Sequence, residues 1–208
     1  MEMVFYTTEY EECARSWAAL NGRADQAVVN IYDLNIGELK ILDLNECGVL
    51  AWIAEVVANR GTNQDSANII GNRLVELYRL DTKDYDIIKG YRADDSYTQV
   101  IEAFLLNQIN IAEVERLFYK GSLGNQIFLK SPKAFENIQW AGSFETTYHE
   151  EDVTADIRAR REVNKFLSER MKGILLDGYA VPGITAQFAV QNRLVYRKDG
   201  EFYEKTGV

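Results

Sequence analysis

The chain has 208 residues, enough for one domain with a core of ordinary size, or for one domain and an appendage. A formal net charge of −9 argues against a nucleic-acid-binding surface built on bulk charge, and no apolar run is long enough to serve as a signal peptide or to span a bilayer. Cys13 and Cys47 lack the spacing of a metal site and read as small hydrophobes of a reducing, cytoplasmic compartment.

Met3 to Thr7 is strand-forming, and Thr8-Glu9-Tyr10-Glu11 matches a capping box. Tyr10, Cys13, Ala14, Trp17 and Ala18 then recur at helical spacing. Ala27–Tyr32 and Leu39–Leu44 read as strands, and Glu46–Asn59 and Ser66–Arg79 as amphipathic helices. Asp84–Lys89 (DYDIIK) reads as a short strand that stops at Gly90, and Asp95 or Ser96 caps a helix reaching about Asn107. Asn110-Ile111-Ala112-Glu113 is a second capping-box pattern, opening a helix to Tyr119. Gln126–Lys130 is a strand. Ser131-Pro132 is a helix start, with proline at the first helical position. Asn137–Thr147 returns as a strand.

Beyond His149 the texture changes to a highly charged helix, about Asp152–Met171, followed by short strands with a hairpin signal at Asp199-Gly200. The basic residues Arg158, Arg160 and Arg161 read as part of a solvated helix face, and Trp17, Trp52 and Trp140 as core. Helices and strands mix without regular alternation, which points to α+β rather than a doubly wound sheet. The expected organisation is a domain over residues 1–148 and a helix-plus-hairpin appendage over 149–208.

Three stretches carry a resemblance. FYTTEYEECARSWA (Phe5–Ala18) resembles the central motif of the ADP-ribosyltransferase-like superfamily, in which a tyrosine ends a strand and a helix follows. DYDIIKGYRADDS fits the same source. GNQIFLKSPKAFENIQW (Gly124–Trp140) resembles the superfamily's last motif, in which a glutamate begins a strand and a short helix follows. More narrowly, the chain is similar to an uncharacterised bacterial family of that superfamily with GFYTT-like, YDIxxGxxADD-like and NQIxF-like motifs. The similarity covers roughly Val4 to Ala141. It implies a split mixed-sheet core with flanking helices.

The resemblance also implies chemistry. In the superfamily a tyrosine stacks on the nicotinamide ring of NAD. A glutamate bonds the nicotinamide ribose and stabilises the cationic centre formed as nicotinamide leaves, which needs negative charge nearby. Tyr6 falls on the tyrosine position and Gln126 on the glutamate position. Gln126 can orient a ribose hydroxyl but supplies no carboxylate. Thr7, Thr8, Arg92 and Asn125 are the remaining candidate NAD contacts, and no metal site is implied.

A histidine on a preceding strand, which holds the adenosine ribose in the superfamily, has no counterpart before Phe5. The expectation is therefore a domain without its first strand, either truncated or no longer building a full donor site. The implied activity is toxin-like transfer of ADP-ribose from NAD to a macromolecular acceptor. The alternatives are an NAD glycohydrolase, or a non-catalytic protein-interaction module of the same fold that pairs or dimerises through an open sheet edge.

Overall fold

The computed structural model describes residues 5–21, 27–91, 95–120, 125–146, 150–196 and 202–204. In chain order the elements begin with β1 (Phe5–Thr7), α1 (Glu11–Asn21), β2 (Ala27–Leu34), β3 (Ile41–Asp43), α2 (Val49–Arg60) and α3 (Asp65–Tyr78). There follow β4 (Ile87–Tyr91), α4 (Asp95–Leu105), α5 (Ile111–Lys120), β5 (Asn125–Leu129), α6 (Pro132–Glu136) and β6 (Ile138–Thr146). The chain closes with α7 (Glu150–Asp177), α8 (Ala186–Asn192), β7 (Leu194–Tyr196) and β8 (Phe202–Glu204). The fold is α+β with a mixed sheet. No helix among the described residues is long and apolar enough to cross a membrane.

These elements form two compact units. The first takes Met1–Asp43, Asp81–Arg92 and Leu123–Arg158. Its four-stranded sheet has the order β1-β5-β4-β3. β5 is antiparallel to both β1 and β4, and β4 is parallel to β3. Leu39, Ile87, Ile127, Leu129 and Ala134 form its buried cluster, with Phe5, Leu34, Phe135 and Ile138 packed against it. Ile127 and Leu129 alternate with Gln126 and Phe128 along β5, so the latter pair points to the opposite face. A separate antiparallel pair, β2 and β6, carries α1, whose Arg15 lies 4.4 Å from the Phe144 ring centroid and donates to Thr146 Oγ1 at 3.2 Å.

Asp86 joins three elements of this unit. Its carboxylate accepts from the Lys40 amide at 2.9 Å and from Ser131 Oγ at 2.5 Å. Ser131 Oγ in turn accepts from the Ala134 amide at 3.1 Å, as the N-cap of α6. The entries of β3, β4 and α6 thus meet on one carboxylate. These hydrogen bonds, the Ser131 hydroxyl first and the Lys40 amide second, hold the Asp86 carboxyl below its ordinary range.

The second unit takes Leu44–Leu80, Ala93–Ser122 and Ala159–Val208. α2 packs on α3, α4 on α5, and α8 on α3 and α4. Gly71 of α3 lets α2 approach, because a Cβ there would sit 3.1 Å from Val57 Cγ1. The Trp52 and Phe118 rings lie 4.6 Å apart in its core. The capping box at Asn110 is reciprocal, with Asn110 Oδ1 and Glu113 Oε2 each accepting from the other's amide at 3.0 Å. Glu113 also pairs with Arg170 of α7. Asn110 Nδ2 donates to the Pro182 carbonyl at 2.9 Å, and the Tyr78 hydroxyl to the Ala189 carbonyl at 3.0 Å. Burial pushes the Tyr78 phenol up to about 12.

Five local expectations are corrected. The helix expected from Glu46 starts at Val49, because Gly48 sits at φ 84° and the preceding residues Leu44–Glu46 make a 3₁₀ turn. Strand β4 runs through Gly90 to Tyr91, since these two residues pair with Gln126 and Asn125 of β5. The stretch after the charged helix contains α8, capped by Thr185 Oγ1 accepting from the Phe188 amide, before β7 pairs with β8. The Asp199-Gly200 signal lies outside the described residues.

Trp140 is 65% exposed rather than core. It lies opposite Tyr32, next to a register shift at Ile31/Tyr32, and of the two rings it is Tyr32 that makes the edge-on contact with Phe5, 5.2 Å between centroids. Finally, α1 begins at Glu11, so Thr8 does not cap it. Glu11 instead pairs with Arg15 one turn on, at 2.6 Å.

A carboxyl whose folded pKa is depressed stabilises the fold above its ordinary range and loses that contribution as pH falls through it. Asp86→Asn should therefore lower the melting temperature at pH 7. Wild type and variant should converge as the pH falls below the ordinary carboxylate range, as followed by circular dichroism. A difference that persists at acid pH contradicts this account of Asp86.

Candidate functional site

The register of β1 on β5 places the residues singled out in the sequence. Tyr6 lies directly opposite Phe128, and directly opposite residues of an antiparallel pair share a face. Gln126, two residues along β5 from Phe128, is on that face too. Tyr6 and Gln126, 120 positions apart in sequence, thus project from the same side of one sheet on neighbouring strands. On the other flank of β5 the partner of Gln126 is Gly90, which puts no side chain beside it.

Tyr6 is 52% exposed, and its ring is stacked on Phe128 with centroids 5.0 Å apart and planes 21° apart. One face of the phenol is therefore occupied and the other faces outward. Gln126 is half-buried.

Thr8 secures the end of β1. Its hydroxyl donates to the Asn125 carbonyl at 2.9 Å and accepts from the Tyr10 amide at 3.2 Å. The first bond continues the β1–β5 pairing beyond the ladder, and the second turns the chain toward α1. Thr7 pairs with Ile127, so its side chain lies on the face opposite Tyr6. Asn125 begins β5 and is half-buried. Tyr6, Thr8 and Gln126 are brought together, with Asn125 meeting Thr8 through its backbone carbonyl. The side chains of Thr7 and Asn125 fall on the Ile127 face, turned away from Tyr6. Arg92 lies outside the described residues, as does His149.

Two further residues or pairs belong to the site beyond those singled out from the sequence. Phe128 was legible in principle, because the Gln126-x-Phe128 spacing on a strand puts both on one face. The Glu9–Lys89 pair, 2.7 Å between Oε2 and Nζ, joins the chain just after β1 to β4. Nothing local links those two residues. The hydrogen bond to Glu9 raises the Lys89 ammonium above its ordinary range, opposed by partial burial and assisted by Asp43. Among the described residues no cluster of histidine, cysteine and carboxylate side chains could hold a metal ion.

A family model described as protein of unknown function (DUF3990) matches residues 3–140. The chain belongs to this family. The DUF3990 match takes in β1 and β5, hence every described residue of the candidate site. No curated protein and no solved structure matches the chain.

In this DUF3990 chain the Thr8 hydroxyl bond is expected to contribute about 1 kcal/mol. Thr8→Val should lose that much in urea unfolding, and Thr8→Ser, which keeps the hydroxyl, should lose less. Equal losses in the two variants contradict the assignment of Thr8 as the tie between β1 and β5.

Proposed function

We propose that the face carrying Tyr6 and Gln126 binds the nicotinamide end of NAD, and that the protein transfers ADP-ribose from NAD to a macromolecular acceptor. The reading rests on the sequence resemblance to ADP-ribosyltransferase-like proteins. The observation that supports it is the co-facial setting of Tyr6 and Gln126 on adjacent strands, with an open phenol face beside a side-chain amide.

In this reading the outward face of Tyr6 stacks on the pyridinium ring. The Gln126 amide orients a hydroxyl of the attached ribose. The bond between ribose C1′ and the pyridinium nitrogen breaks, and its electron pair neutralises the ring as nicotinamide. An acceptor nucleophile bonds to C1′ and gives up its proton to solvent water. Gln126 does not stabilise the cationic centre as a carboxylate does. The reading predicts a slow reaction and assigns no residue to the adenosine-holding histidine position.

A second reading is a protein-interaction module. It is favoured by one observation: among the described strands β1 is an edge of the four-stranded sheet, with one neighbour. A concentration-dependent dimer without NAD binding supports it.

The test is incubation with NAD labelled in the adenylate moiety, with nicotinamide release and protein labelling followed together. Tyr6→Ala should weaken NAD binding roughly three- to tenfold. Gln126→Glu should raise nicotinamide release by about ten- to a hundredfold. Nicotinamide release with free ADP-ribose and no labelled protein identifies a glycohydrolase. No release from either the wild type or Gln126→Glu overturns the enzymatic reading.

A further inference from the structure

Phe128 has no place in the chemistry above, yet the Tyr6 ring is stacked on it. We infer that Phe128 is a positioning residue that holds the Tyr6 ring in the orientation needed to receive a flat cationic ring; this rests on the NAD reading.

An exposed tyrosine on an edge strand has more than one staggered setting of its first side-chain torsion. Packing on the buried side of the sheet does nothing to choose between them for Tyr6. Phe128 does. Its ring lies near-parallel to the phenol, 21° between planes and 5.0 Å between centroids, which is an offset stack. Phe128 is itself fixed from the other side. It is half-buried and lies opposite Ile88 of β4, which in turn lies opposite Leu42 of β3. A cross-strand row thus runs Tyr6–Phe128–Ile88–Leu42, from the exposed tyrosine to a buried leucine.

The consequence is preorganisation. A ring already held by a neighbour loses no rotamer freedom when a ligand stacks on its free face. The chemical class follows from the same geometry. The face of a phenol is electron-rich, so it favours a cationic heteroaromatic ring over a neutral one of the same shape. A bound pyridinium should be held more tightly than the neutral nicotinamide it becomes, which favours product release.

The experiment uses the full chain, with Phe128→Leu, which removes the ring, and Phe128→Tyr, which keeps it. The probes are 1-methylnicotinamide, a cation, and nicotinamide, its neutral counterpart, with NAD alongside. Binding and the Tyr6 ring-proton shifts are read by NMR. The Tyr6 ring protons should lose their ring-current shift in Phe128→Leu and keep it in Phe128→Tyr. Phe128→Leu should weaken 1-methylnicotinamide binding roughly three- to tenfold and Phe128→Tyr should restore it, while nicotinamide binds more weakly throughout. Unchanged ring shifts and binding in Phe128→Leu overturn the inference and leave the NAD reading standing. Failure of all three probes to bind the wild type overturns the NAD reading and, with it, the ligand role given to Phe128.

Discussion

Strand β5 is the constraint on which the candidate site depends. It is hydrogen-bonded on both flanks, antiparallel to β1 and to β4, so its register is set twice. A shift by one residue would turn Ile127 and Leu129 out of the buried cluster and bring Gln126 and Phe128 into it. The apolar alternation of NQIFL therefore determines which side chains face outward. Tyr6 inherits its place from that register, since β1 has three described residues and, among the described strands, pairs with β5 alone.

Short strands need reinforcement at their ends, and this unit supplies it with side chains. Thr8 ties the end of β1 to Asn125, Lys89 of β4 reaches Glu9, and Asp86 collects the Lys40 amide and the Ser131 hydroxyl. Each bond joins segments far apart in sequence. The result is a sheet edge whose geometry does not rest on the three-residue ladder of β1 alone. In the proposed NAD reading, that edge is the base from which Tyr6 presents one face to the ligand.

Local signals in the sequence were legible, and long-range ones were not. The caps at Ser131 and Asn110 depend on residues three positions apart, and both formed as the pattern implies. Thr8 shows the limit: its capping-box pattern is complete, but the hydroxyl goes to Asn125, which no local rule links to it. Helix α8 has seven residues, too few for a periodic signal, and it is held by contacts such as Tyr78 to the Ala189 carbonyl and Asn107 Oδ1 to the Gln187 amide. Trp140 reads as a core residue in the sequence, yet it is 65% exposed although it lies opposite Tyr32. At the site, resemblance drew attention to Tyr6 and Gln126. Their common face needed the pairing of β1 with β5, and the stack on Phe128 needed side-chain coordinates.

The central claim is that a nicotinamide ring lies on the outward face of Tyr6 with its ribose beside Gln126. The most direct measurement is an NMR search for nuclear Overhauser effects between NAD and the protein, with the Tyr6 ring and the Gln126 side-chain amide assigned. The account predicts contacts from the nicotinamide ring protons to the Tyr6 ring and from the adjoining ribose to the Gln126 amide. A folded protein that gives no such contacts at millimolar NAD, or that contacts NAD at residues away from β1 and β5, contradicts it.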